Sequence, residues 1–161
     1  MKSATVHEIK QELLTAKPAA LMELCLRLAR FKKENKELLT YLLFEAHNEQ
    51  AYVDSIKTEI EEEFGAINLS HLYFAKKSLR KIVRIINKYC RYSSHKATEV
   101  ELRLYFCTLL HRSGIPYSRN TVISNLYNSQ LKKTGALLKG LHEDLQYDLR
   151  REYDLLMKES K

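Results

Sequence analysis

Residues 71–92 read HLYFAKKSLRKIVRIINKYCRY, and no other stretch of the chain restricts its fold so narrowly. At about 100° per residue, Leu72, Ala75, Leu79, Ile82, Val83, Ile86, Tyr89 and Cys90 fall in one arc of roughly half the circumference, the pattern of a helix that turns a stripe toward a core. The same projection gathers Lys76, Lys77, Arg80, Lys81, Arg84, Lys88 and Arg91 on the opposite side within roughly 140°, with no carboxylate among them. Like charges at i, i+4 cost about 0.2–0.5 kcal/mol per pair. An acidic neighbouring helix, solvent and salt, or an anionic ligand has to offset that repulsion.

The rest of the chain is written in the same helical idiom. Four Gly and two Pro in 161 residues leave little room for hairpin turns or flexible linker. A chain of this length buries enough surface to fold without disulfides or metal, and it reads as a single domain over 1–161. Ten Tyr and no Trp place bulky rings with a hydroxyl at the boundary of core and water. The opening MKSATVHEIKQELL carries no long apolar run, and no stretch approaches the ~18 apolar residues of a membrane span, so the expected location is the cytoplasm. Cys25, Cys90 and Cys107 are odd in number, far apart and flanked by apolar residues, and read as small buried hydrophobes.

Start and stop signals divide the chain into about eight helices. Thr5 and Glu8 have capping-box spacing for a first helix ending near Leu14. Pro18 suits the first turn of a second helix, which runs to about Lys32 with Leu21, Met22, Leu24, Cys25, Leu28, Ala29 and Phe31 on a broad apolar face. Residues 34–47 are apolar around most of the circumference and are expected to form the central core helix. Asn48 caps a fourth helix with a narrower stripe (Ala51, Tyr52, Val53, Ile56, Ile60, Phe64), an acidic outer face (Asp54, Glu59, Glu61, Glu62, Glu63) and a left-handed Gly65 at its end. The basic helix follows from Asn68 or Ser70 and stops between Arg91 and His95. Thr98 and Glu101 offer a second capping box, for a helix that closes at Gly114. Pro116 and Ser118 precede a seventh helix, and a last one spans about 136–157. Gly135 and Gly140 either separate these two or merely weaken one long helix. Short connectors make sequential helices antiparallel hairpins, and an all-α right-handed superhelix of stacked, helical-repeat-like hairpins is favoured over a closed bundle around residues 34–47. No fixed-period repeat is visible in the sequence.

Charge follows its own division. Residues 1–69 carry a net charge of −3, residues 70–139 hold fourteen Lys and Arg against two Glu for a net of +12, and residues 140–161 carry −2. A +12 segment attracts phosphate backbones or acidic protein surfaces. Tyr73, Tyr92, Tyr105, Tyr117 and Tyr127 lie within it, and aromatic rings beside cations suit single-stranded nucleic acid. The competing reading sets the acidic face of the fourth helix against the basic face of the fifth, although a handful of carboxylates cannot neutralise seven cations together with Lys96, Arg103, Arg112, Arg119, Lys132 and Lys133.

No catalytic constellation accompanies this charge. The sequence lacks His-Glu-x-x-His, paired Cys-x-x-Cys, a Gly-rich phosphate loop and Gly-x-Ser-x-Gly, and no His has a Glu three residues before it, as a di-iron bundle requires. Glu45, His47 and Glu49 alternate at a helix end and have the chemistry of a metal or acid–base set, against the simpler reading that His47 faces terminal carbonyls. The polar run from His142 to Arg151 reads as i, i+4 pairing on a solvated surface or the rim of an interface. The expectation is therefore a noncatalytic binding module, with no cofactor, metal or small-molecule substrate. It docks on a polyanion, nucleic acid above all, through Lys76, Lys77, Arg80, Lys81, Arg84, Lys88 and Arg91 with support from Lys96 and Arg119. The alternative is a helical scaffold for a protein partner, whose charge steers association. A membrane-surface role for the basic helix conflicts with the need of the core for its apolar face.

Overall fold

A computed structural model describes residues 2–159, which contain eight α-helices. The backbone divides into two compact units, Met1–Phe44 and Glu45–Lys161.

The first unit holds α1 (Val6–Thr15), α2 (Pro18–Phe31) and α3 (Lys33–Thr40). The capping box at Thr5 forms as its spacing predicts: the Thr5 amide donates to Glu8 Oε2 at 2.7 Å and the Glu8 amide donates to Thr5 Oγ1 at 3.3 Å. Pro18 opens α2, where its missing N–H is no loss. No residue of these three helices is buried. Met22, Leu28 and Phe31 are exposed, and so is Cys25, contrary to its reading as a core residue. The expected central helix over 34–47 is also overturned. After eight residues α3 gives way to a π-helical turn, Tyr41–Glu45, in which Tyr41 is buried while Leu42, Leu43 and Phe44 are exposed, Phe44 by 67%. The π turn interrupts the expected single helix after Thr40, and the apolar side chains that follow Tyr41 stay in solvent.

The second unit holds α4 (Glu49–Gly65), α5 (Leu72–Ser93), α6 (Lys96–Arg112), α7 (Thr121–Leu138) and α8 (Glu143–Glu159). Asn48 caps α4, its Oδ1 accepting from the Ala51 amide at 3.1 Å. Gly65 is the last helical residue rather than a left-handed cap; the positive φ values belong to Ser94 (57°) and Gly114 (72°). Asn68 Oδ1 accepts from the Ser70 amide at 2.9 Å, a local turn that competes with helix, so α5 starts later, at Leu72. The second capping box does not form. Thr98 lies inside α6, buried, and donates its hydroxyl to Glu49, while Glu101 pairs with Lys57 at 2.5 Å. Gly140 falls in the break between α7 and α8, so two helices occupy the C-terminal region. Gly135 stays within α7, where a Cβ would stand 2.5 Å from the Tyr153 hydroxyl.

Each helix of this unit packs on the next and the next but one, and α6 in the middle touches α4, α5, α7 and α8. Its Val100, Leu102, Leu104, Phe106, Cys107 and Leu110 are fully enclosed. The apolar stripe of α5 (Ala75, Leu79, Ile82, Val83, Ile86, Cys90) is buried as its periodicity predicts. Burial raises the Cys90 thiol to about 12, and pushes Cys107 up as well. Among the described residues, no helix is long and apolar enough to cross a membrane.

Candidate anion-binding face on the fifth helix

Because α5 spends its apolar stripe on the core, geometry turns the cations outward. Lys77, Arg80, Lys81, Arg84 and Arg91 are exposed, and Lys76 and Lys88 are half-buried. Lys76, Arg80 and Arg84 stand at i, i+4 and i+8, one row rising about 6 Å per step, with Lys77 beside it.

Of the acids that the sequence sets against this row, Glu59, Glu61 and Glu63 have partners off it. Glu59 accepts the Tyr89 hydroxyl at 2.6 Å and Glu61 accepts that of Tyr105. Burial and the Glu61 carboxylate together push the Tyr105 phenol up to about 12. Glu63 of α4 forms an ion pair with Lys81 of α5 at 2.5 Å. Lys88 leans to the same side, its Nζ 4.5 Å from the centroid of the Tyr89 ring. The two glutamates of the +12 segment are both engaged: Glu101 with Lys57, and Glu99 with Arg103 at 2.5 Å. Lys76, Lys77, Arg80, Arg84 and Arg91 have no carboxylate within ion-pair distance among the described residues.

Arg103 departs from the surface excess in which charge counting places it. It is 3% exposed, and its guanidinium donates to Glu99 of α6, to Asn87 of α5 at 2.8 Å and to Gln130 of α7. A planar fork of donors can serve three acceptors on three helices at once. No linear pattern reveals this, since its partners are remote in sequence.

The nine predicted residues do not form one cluster. Lys76, Lys77, Arg80 and Arg84 line a groove of ≈ 600 Å³ between α5 and α7 together with Tyr73, Val83 and Leu126. Lys81 pairs with Glu63 of α4, Lys88 lies over the Tyr89 ring, and Arg91 lies further along α5. Lys96 and Arg119 are exposed near opposite ends of α7: Lys96 Nζ sits 3.3 Å from where a Gly140 Cβ would be, and Arg119 immediately precedes the Asn120 cap. Of the six tyrosines in residues 70–139, Tyr73 is free to stack, with 72% exposure, whereas Tyr89 donates its hydroxyl to Glu59. Tyr92 and Tyr127 are buried, Tyr117 stacks on Tyr127 at 4.8 Å, and Tyr105 is tied to Glu61.

The other polar clusters resolve into structural contacts. Glu49 accepts from Ser93 and Thr98, pinning the turn between α5 and α6 to the start of α4. On α8, Arg150 pairs with Asp154 at 3.7 Å, and His142 lies 3.4 Å from Asp144. No group of three or more His, Cys, Asp or Glu among the described residues has the arrangement of a metal site. Comparison with family models, with curated proteins and with solved structures finds no significant match to this chain.

Proposed function

We propose that the chain is a noncatalytic binding module that docks on a nucleic acid through the cationic row of α5, chiefly by phosphate contacts. The observation that carries this reading is the unneutralised group Lys76, Lys77, Arg80 and Arg84, collected on one groove while nearby carboxylates are bound to other partners. Phosphates supply the missing counter-charge and release condensed counterions, so binding is salt-dependent and carries little base specificity.

The test is retention of a labelled oligonucleotide at 50 mM salt by the full chain and by the double variant Arg80→Glu, Arg84→Glu. Both arginines are exposed, so the variant keeps the fold, and the expected result is loss of retention with an unchanged circular dichroism spectrum. Equal retention by the two proteins refutes the reading.

A further inference from the structure

Resting on that reading, we infer that the α5–α7 groove is a single-strand site, in which Tyr73 stacks a base while Lys76, Lys77, Arg80 and Arg84 hold the adjoining phosphates. Positions 73, 76, 77, 80 and 84 stand at i, i+3, i+4, i+7 and i+11, so the ring and the four cations share one helix stripe. Val83 and Leu126 give the groove an apolar floor between α5 and α7. Tyr73 ends this stripe in an aromatic cluster: its ring meets Phe74 edge-on with centroids 5.6 Å apart, and Phe74 is in turn 6.1 Å from His71. Tyr73 and Phe74 are both exposed.

The combination selects among polyanions. A duplex keeps its bases stacked inside and offers the groove only phosphates, whereas a single strand presents a π-face to the ring and phosphates to the cations. An acidic peptide uses the cations and has no counterpart for the ring. From Tyr73 to Arg84 the helix rises about 16 Å. A strand of a few nucleotides covers that span.

Fluorescence anisotropy with four labelled probes at 50 mM salt tests the inference: a ten-nucleotide single strand, its duplex, an abasic strand with the same number of phosphates, and a decamer of glutamate. The wild-type chain is expected to bind the base-bearing strand about tenfold tighter than the abasic one, and tighter than the duplex. Tyr73→Ala should lower affinity for the base-bearing strand to the abasic level and leave abasic binding unchanged, while Tyr73→Phe retains the preference. Equal affinity for base-bearing and abasic strands, or a Tyr73→Ala variant indistinguishable from wild type, overturns the single-strand site and leaves the phosphate-docking reading standing. Glutamate decamer bound as tightly as the strand identifies an acidic protein surface instead and overturns the inference. No binding of any probe refutes the docking reading itself.

Discussion

At the scale of single residues, the second unit is organised by polar groups that the core cannot leave unpaired. Arg103 is the clearest case. Its guanidinium joins Asn87, Gln130 and Glu99, so a truncation leaves the buried Gln130 carbonyl without its donor and two half-buried acceptors without theirs. Arg103→Ala is expected to destabilise the chain by about 3 kcal/mol, read from the midpoint of urea unfolding. A change within 0.5 kcal/mol or so, the usual range for surface positions, would mean that the charge is not buried in solution. Cys90 gives a pH dependence of definite sign. Its folded thiol holds its proton to about 12, whereas the unfolded thiol releases it near the ordinary 9.0. The protonated form is the one the fold favours, so this contribution is complete below pH 9 and lost as pH climbs toward 12. Unfolding midpoints should therefore fall between pH 9 and 12, with Cys90 alone contributing a slope of up to about 1.4 kcal/mol per pH unit. Replacing Cys90 with Ala should flatten that limb.

At the scale of elements, helix boundaries were legible wherever a side chain caps the helix locally. Thr5 with Glu8, Asn48 and Gly114 all act as their spacing predicts, since each needs only groups a few residues away. Thr98 is not a cap because the helix already begins at Lys96, which leaves Thr98 inside it with its hydroxyl donated to Glu49, forty-nine positions earlier. Gly65 is displaced as a left-handed terminus by the continuation of α4 through it, and the turn after α5 is left to Ser94 at φ 57°. A residue with a Cβ pays about 1–2 kcal/mol to occupy that region. Ser94→Gly should then raise thermal stability by about 0.5–1 kcal/mol, and Gly114→Ala should lower it by about 1 kcal/mol. Thermal unfolding of the two variants measures both, and the opposite signs are the content of the prediction. The 34–47 segment departs from a single core helix because a π turn replaces its second half and leaves Leu42, Leu43 and Phe44 exposed, and apolar composition alone does not report that change of winding.

At the scale of the whole molecule, charge and burial are segregated. Apart from Tyr41, the buried apolar residues belong to the second unit, whereas the first leaves the apolar side chains of α1 and α2 exposed or half-buried. The outward face of α5 was legible because a helix that buries one stripe must expose the other. Which cations stay unneutralised was not legible, since it depends on tertiary choices: Glu63 takes Lys81, Glu59 and Glu61 take tyrosine hydroxyls, and Glu99 and Glu101 turn to Arg103 and Lys57. What remains on the groove is four cations and a ring. The most direct test of that arrangement as a phosphate-docking surface is the salt dependence of affinity for a single-stranded oligonucleotide. Four phosphate contacts predict a slope of log K against log salt of about −3, and hence about a fiftyfold loss of affinity between 50 and 200 mM. A slope near zero, or the same slope after Arg80→Glu and Arg84→Glu, would contradict it.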